Sequence, residues 1–193
     1  MNQQPATEKN LQIAVAHLAN PAPYQARYDE MPIDAILRIM IELQIPVDTR
    51  IEERKSATVA HLAAKYGNPA HLEQIRAAGA YLQETDRLGY SVFHYACMSG
   101  NKPCFDWLFT RALFFDIDTQ TNGGVTSLML AVKSRNNELI NTIINAPVAA
   151  NPFYKDILGR DARAYAIEMN NYSAMEQLSS SQKQWIEALP NAK

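Results

Sequence analysis

The sequence predicts an all-α solenoid, a stack of helix-turn-helix units closed at each end by further helices. Two observations carry this prediction: four gapless segments that repeat in phase, and an apolar stripe that one helical hairpin could not cover. The segments are SATVAHLAAKYGN, GYSVFHYACMSGN, GVTSLMLAVKSRN and GRDARAYAIEMNN. Laid over one another, they place alanine at Ala63, Ala96, Ala131 and Ala166, at steps of 33, 35 and 35 residues, and they end on Asn68, Asn101, Asn136 and Asn171. The stripe lies in the helix after each segment, as Leu72, Phe105, Ile140 and Met175 and, three residues on, Ile75, Leu108, Ile143 and Leu178. Apolar residues at i and i+3 share one helix face, and stacked neighbours bury that face.

In chain order, residues 1–52 are expected to form an N-terminal helical cap or a degenerate repeat. It holds two expected helices, Thr7 to Leu18 and Pro32 to Gln44, the second with Ile33, Ile36, Leu37, Met40 and Leu43 at helical spacing. Three units follow at residues 53–85, 86–120 and 121–155, then a degenerate fourth at 156–180. Residues 181–193 are expected to be a separate capping helix, because Ser181-Gln182-Lys183-Gln184 reads as a capping box before Trp185, Ile186 and Leu189.

Within each unit the asparagine is expected to accept the orphan N–H groups that open the second helix, with Pro69 at a first helical position. Gly67 and Gly100 stand where the first helix ends, and left-handed backbone is expected at both. Arg135 and Asn170 replace that glycine, which predicts strained or differently shaped turns. The two-residue insertions fall before the third and fourth units, and Asn122-Gly123-Gly124 predicts a tight projecting turn.

Composition narrows the function classes. A chain of 193 residues with 47% hydrophobic content can bury one continuous core. A net charge of −2 argues against a general nucleic-acid binder or a polybasic membrane-surface protein, both of which need excess positive charge to capture phosphate. The first twenty residues lack a basic n-region, and Gln12 and His17 interrupt their apolar stretch, so neither a secretory signal nor a membrane anchor is expected. Two cysteines, Cys97 and Cys104, suit free thiols in a reducing compartment. The expectation is a cytoplasmic monomer.

With these residues in register, the chain resembles the ankyrin-repeat family, whose unit of about 33 residues carries a T-P-L-H-x-A core. Thr58-Val59-Ala60-His61-Leu62-Ala63 and Ser91-Val92-Phe93-His94-Tyr95-Ala96 match it best. Gly67 and Gly79-Ala80 match the family's later glycines, and Asp86 with Gly89 its D-x-x-G turn; Asp156 and Gly159 repeat that turn. The third unit has lost the histidine, and the fourth keeps little beyond Ala166 and its turn. The resemblance spans roughly residues 53 to 179. It implies that His61 and His94 tie adjacent turns together, and that a concave face of projecting fingers and first helices binds a protein partner.

Register assigns that face. The candidate partner-binding residues are Arg54, Lys55, Lys65, Tyr66, Arg87, Leu88, Tyr90, Met98, Lys133 and Arg160, with Arg87 and Tyr90 as the expected anchors. Aromatic and arginine side chains of this kind are enriched at interface hot spots, and the basic excess suits an acidic partner surface or peptide. The resulting reading is a non-catalytic adaptor or inhibitor. A narrower one is a bacterial or viral effector translocated into a host cell, on the compact format and divergent Asn/Gln-rich repeats.

Catalysis is the alternative class. His94 and Cys97 lie three apart on one expected helix with Cys104 nearby, so a Cys-dependent enzyme using Cys97 with His94 can be drawn. No G-x-x-x-x-G-K-[ST], G-x-S-x-G, H-E-x-x-H or dinucleotide glycine pattern occurs. Three ligands without C-x-x-C spacing fall short of a zinc site, and neither metal nor cofactor is expected. His17 and His71 show no partner in the sequence and receive no role.

Overall fold

The computed structural model describes residues 33–111, 116–146 and 150–188. Helix α1 (Ile33–Glu42) precedes four helix pairs: α2 (Val59–Tyr66) with α3 (Pro69–Ala77), α4 (Val92–Ser99) with α5 (Lys102–Thr110), α6 (Ser127–Ser134) with α7 (Asn137–Ile144), and α8 (Ala162–Glu168) with α9 (Tyr172–Ala188). The first helices of the pairs stack in the order α2, α4, α6, α8, and α1 packs on α2.

The asparagines position the second helices. Asn68 accepts from the N–H groups of Ala70 and His71, Asn101 from Cys104, Asn136 from Leu139 and Asn171 from Ala174. Three of the same side chains also reach back along the stack. The Asn101 amide donates to the carbonyls of Ala64 and Gly67, Asn136 donates to the Gly100 carbonyl, and Asn171 donates to Asn137 Oδ1. One residue thus starts its own helix and fastens it to the unit before.

The apolar ladders meet through the interior. Leu72, Phe105, Ile140, Ile75, Leu108, Ile143 and Leu178 are fully buried, and Met175, at the end of the stack, is partly buried against the same core. Fully burying one such side chain contributes about 2 kcal/mol, so the ladders rather than helix propensity hold α3, α5 and α7, of eight or nine residues each, in place.

Three local expectations need correction, and a fourth resolves to one of its two alternatives. Tyr172–Ala188 is one unbroken helix, so no separate helix begins at Ser181. Ser181 is buried mid-helix, where the preceding turn already supplies acceptors for the N–H groups a cap would serve. Helix α1 ends at Glu42; Gln44 is left-handed at φ 52° and the Ile45 N–H donates back to the Met40 carbonyl. The chain therefore buries Ile45 and leaves Leu43 39% exposed. Gly67 is extended at φ −98°, not left-handed, and its glycine answers to space: a Cβ would lie 2.7 Å from the Ala63 carbonyl oxygen and from His71 Nδ1. Finally, Arg135 and Asn170 adopt φ 61° and 50°, close to the 68° of Gly100, so those turns keep the shape and carry the strain. The expected helix from Thr7 to Leu18, and Leu189, lie outside the described residues.

The projecting fingers form a short ladder. The Arg87 N–H donates to the Lys55 carbonyl, Asn122 to Leu88 and Ile157 to Gly123. The second and fourth finger turns are closed locally as well: Asp86 Oδ1 accepts from the N–H groups of Leu88 and Tyr90, and Asp156 Oδ1 from Leu158 and Arg160. Among the described residues no helix is long and apolar enough to cross a membrane.

Candidate partner-binding groove

A groove of about 350 Å³ opens between the fingers and the first helices of repeats one to three. Leu62, Tyr66, Tyr90, Tyr95 and Met98 supply its apolar surface, and Arg54, Lys55, Lys65 and Lys133 its positive charge, with Asp86 the one carboxylate in the lining. Seven of the ten residues assigned from register therefore line one surface. Arg87, Leu88 and Arg160 do not.

The charges at this surface differ in how they are satisfied. Arg54, Lys55, Lys65 and Lys133 form no ion pair among the described residues. The Lys65 ammonium instead sits 4.8 Å from the centre of the Tyr66 ring. Asp86 is buried and saturated, since its second oxygen accepts the Tyr95 hydroxyl at 3.0 Å. Burial and, after it, the Asp86 carboxylate push the Tyr95 phenol well up, so it stays protonated and donates.

Of the two expected anchors, Tyr90 lines the groove, whereas the Arg87 guanidinium is engaged inside the protein, pairing with Glu52 and donating to Ser56. Glu52 lies 35 residues earlier, two residues before Arg54, the equivalent of Arg87 in the first unit, so the pair links finger two to finger one. Arg160 is likewise engaged, with Asp156, Glu168 and the Tyr165 hydroxyl. Leu88 is 40% exposed at its fingertip, and its carbonyl accepts from Asn122.

Beneath the groove, two histidines tie adjacent turns together. The Thr58 N–H donates to His61 Nδ1 at 3.1 Å, which leaves Nε2 to donate to the Tyr90 carbonyl at 3.1 Å. His94 repeats the arrangement, with Ser91 N–H at Nδ1 and the Thr119 carbonyl at Nε2. A nitrogen facing an N–H donor cannot take a proton, so geometry demands neutral rings. Burial, the largest cause, lowers both to about 4 against the opposing pull of Asp86 and the carbonyls. His71, which had no partner in the sequence, accepts from the Asn68 N–H and meets Asp34 Oδ1 at 3.0 Å, tying α3 to α1.

The sequence of this chain matches the model for ankyrin repeats, three copies, over residues 60–156, half of its length. The chain belongs to the ankyrin-repeat family. Curated relatives of this ankyrin chain include neurogenic locus notch homolog protein 1 of Homo sapiens and of Mus musculus, and neurogenic locus notch homolog protein 2 of Homo sapiens. Each is 28% identical over 122 residues, 63% of this chain, and the match spans 5% of the relative's length. Ankyrin repeats indicate a protein–protein interaction module, and the family is generally non-catalytic.

The Cys97–His94 alternative meets unfavourable geometry in this ankyrin stack. A nucleophilic thiolate needs access and a lowered pKa. Cys97 is fully buried, and burial pushes its thiol well up despite a hydrogen bond with Ser127. Cys104, also buried, is pushed up to about 12 by burial, and its Sγ donates to the Ala63 carbonyl. Both nitrogens of His94 are engaged in holding the repeats. Among the described residues no cluster of three or more His, Cys, Asp or Glu could hold a metal ion.

Proposed function

We propose that this ankyrin chain is a non-catalytic binding module, an adaptor or inhibitor, that grips a protein partner with an acidic surface through the groove over repeats one to three. The observation that carries this reading is four cations around one apolar floor with no carboxylate partners among the described residues. A cation that already holds a carboxylate must release it to bind another, whereas these four keep their full attraction for an incoming acidic group. The floor adds apolar and aromatic area, which supplies affinity that rim charges alone do not.

Affinity capture with purified chain tests the reading. A variant with Lys65→Glu and Lys133→Glu is expected to lose the captured partner, while Arg38→Glu, an exposed position on α1 away from the groove, retains it. Equal capture by all three proteins overturns the assignment of the face.

A further inference from the structure

Resting on that reading, we infer that the groove takes a short linear segment of the partner in which one apolar or aromatic side chain is flanked on both sides by carboxylates. Three features of the groove select such a segment over the broad acidic face of a folded domain.

The first is size. A volume of about 350 Å³ lies at the small end of ligand pockets, which begin near ~300 Å³. It holds one or two side chains, and a broad convex surface would bridge it and leave it empty.

The second is the floor. Tyr66, Tyr90 and Met98 are partly buried and packed against the core, so their exposed faces are fixed in place. A side chain laid on them gains contact without first having to order its binding site.

The third is where the cations stand. Arg54 and Lys55 lie on the finger before the N-terminus of α2, while Lys65 and Lys133 lie in the last turns of α2 and α6. A helix of eight residues is about 12 Å long, so the two pairs of cations bracket the floor. An extended chain rises about 3.3 Å per residue. Carboxylates three or four residues apart, with the apolar residue between them, therefore reach cations at opposite ends of the floor. Asp86, whose oxygens already accept three hydrogen bonds, sets one negative charge against the four positive ones.

Fluorescence anisotropy with labelled ten-residue peptides tests the inference on the full chain. The probe carries one Leu between two Glu spaced four apart in Gly/Ser sequence, and its controls change Leu to Ser, change both Glu to Gln, or move both Glu to one side. The probe is expected to bind, to weaken roughly tenfold with Lys55→Glu or Lys133→Glu, and to weaken with each control. Circular dichroism should show the two exposed-site variants folded as wild type.

Equal binding of the one-sided peptide, or binding only when phosphoserine replaces a Glu, overturns the two-sided carboxylate assignment. If the charge reversals abolish partner capture yet no probe binds, the segment inference falls and the partner reading stands. If the reversals change neither capture nor peptide binding, both fall.

Discussion

Fingers two and four share one frame and differ in what becomes of its charge. In each, an Asp-x-x-Gly turn accepts two backbone N–H groups, and the same carboxylate accepts a tyrosine hydroxyl nine residues on: Tyr95 on Asp86, Tyr165 on Asp156. The residue four beyond the aspartate then decides the outcome. Finger four has Arg160 there, which pairs with Asp156 and Glu168 and stacks 4.6 Å from the Tyr165 ring. Burial favours the neutral acid at Asp156, yet hydrogen bonds from Arg160, Tyr165 and Leu158 together outweigh it and hold the carboxyl near 2. Finger two has Tyr90 in that place, whose ring joins the groove; Arg87 pairs with Glu52, but the groove cations Arg54, Lys55, Lys65 and Lys133 form no ion pair among the described residues. The same scaffold is electrostatically closed at one end and open at the other.

Acid should separate the two ends most strongly. His61 and His94 serve repeats one and two, while Met129 and Ala164 occupy that place in repeats three and four. Both histidines are lowered on folding, so their neutral forms stabilise the protein above pH 6.5, and that contribution fades as pH falls from 6.5 toward 4. A fall from 6.5 to about 4 corresponds to about 3 kcal/mol for each. Asp156 also favours the folded state more at higher pH, but its contribution fades only between 3.8 and about 2. Urea unfolding at pH 7, 5.5 and 4.5 should show a steep loss of stability. The double variant His61→Met, His94→Met, which copies repeat three, should be weaker at pH 7 and much flatter in pH. An acid-insensitive wild type would contradict the neutral-histidine lock.

Asp86→Ala comes next, at about 3 kcal/mol, because it orphans two N–H groups and the Tyr95 hydroxyl in a buried place. Its denaturant midpoint measures this, and a loss under 1 kcal/mol would show that water replaces the carboxylate. Tyr90→Arg transplants the residue of finger four. Its guanidinium should pair with Asp86 and remove a ring from the floor, so partner affinity should fall several-fold while stability changes little. Unchanged affinity by calorimetry would remove Tyr90 from the surface.

The smallest effect is expected at the strained turn. Arg135→Gly relieves a left-handed backbone but loses the bond to the Met169 carbonyl, for a net gain of about 0.5 kcal/mol or less. A clear loss of thermal stability would mean that the bond outweighs the strain.

The repeats were legible because burial imposes a period, and Ala63, Asn68 and Leu72 recur with it. The groove residues on helix ends, Lys65, Tyr66, Met98 and Lys133, followed from the same register. Pairings between repeats did not follow from local patterns, since Arg87 with Glu52 and Asn101 with Ala64 depend on how one unit rests on the next. Their separations of 35 and 37 residues lie two and four residues beyond the 33-residue step between units one and two, where the equivalent of Arg87 is the like-charged Arg54, so exact register did not reveal that Arg87 is engaged. Ser181 misled for a different reason. A capping box is a local signature, and the helix begun at Tyr172 runs through it because Leu178 and Ser181 are both buried against the stack. Gly67 resembles a left-handed glycine in sequence, and the approach of the Ala63 carbonyl and His71 shows that space is its requirement.

The open groove is the proposed seat of the partner. A photo-crosslinking amino acid placed at Met98, on the floor, and separately at Arg38, on α1, tests this directly in the captured complex. The account predicts a covalent adduct with the partner from position 98 and none from position 38. An adduct from position 38 with none from 98 would contradict it.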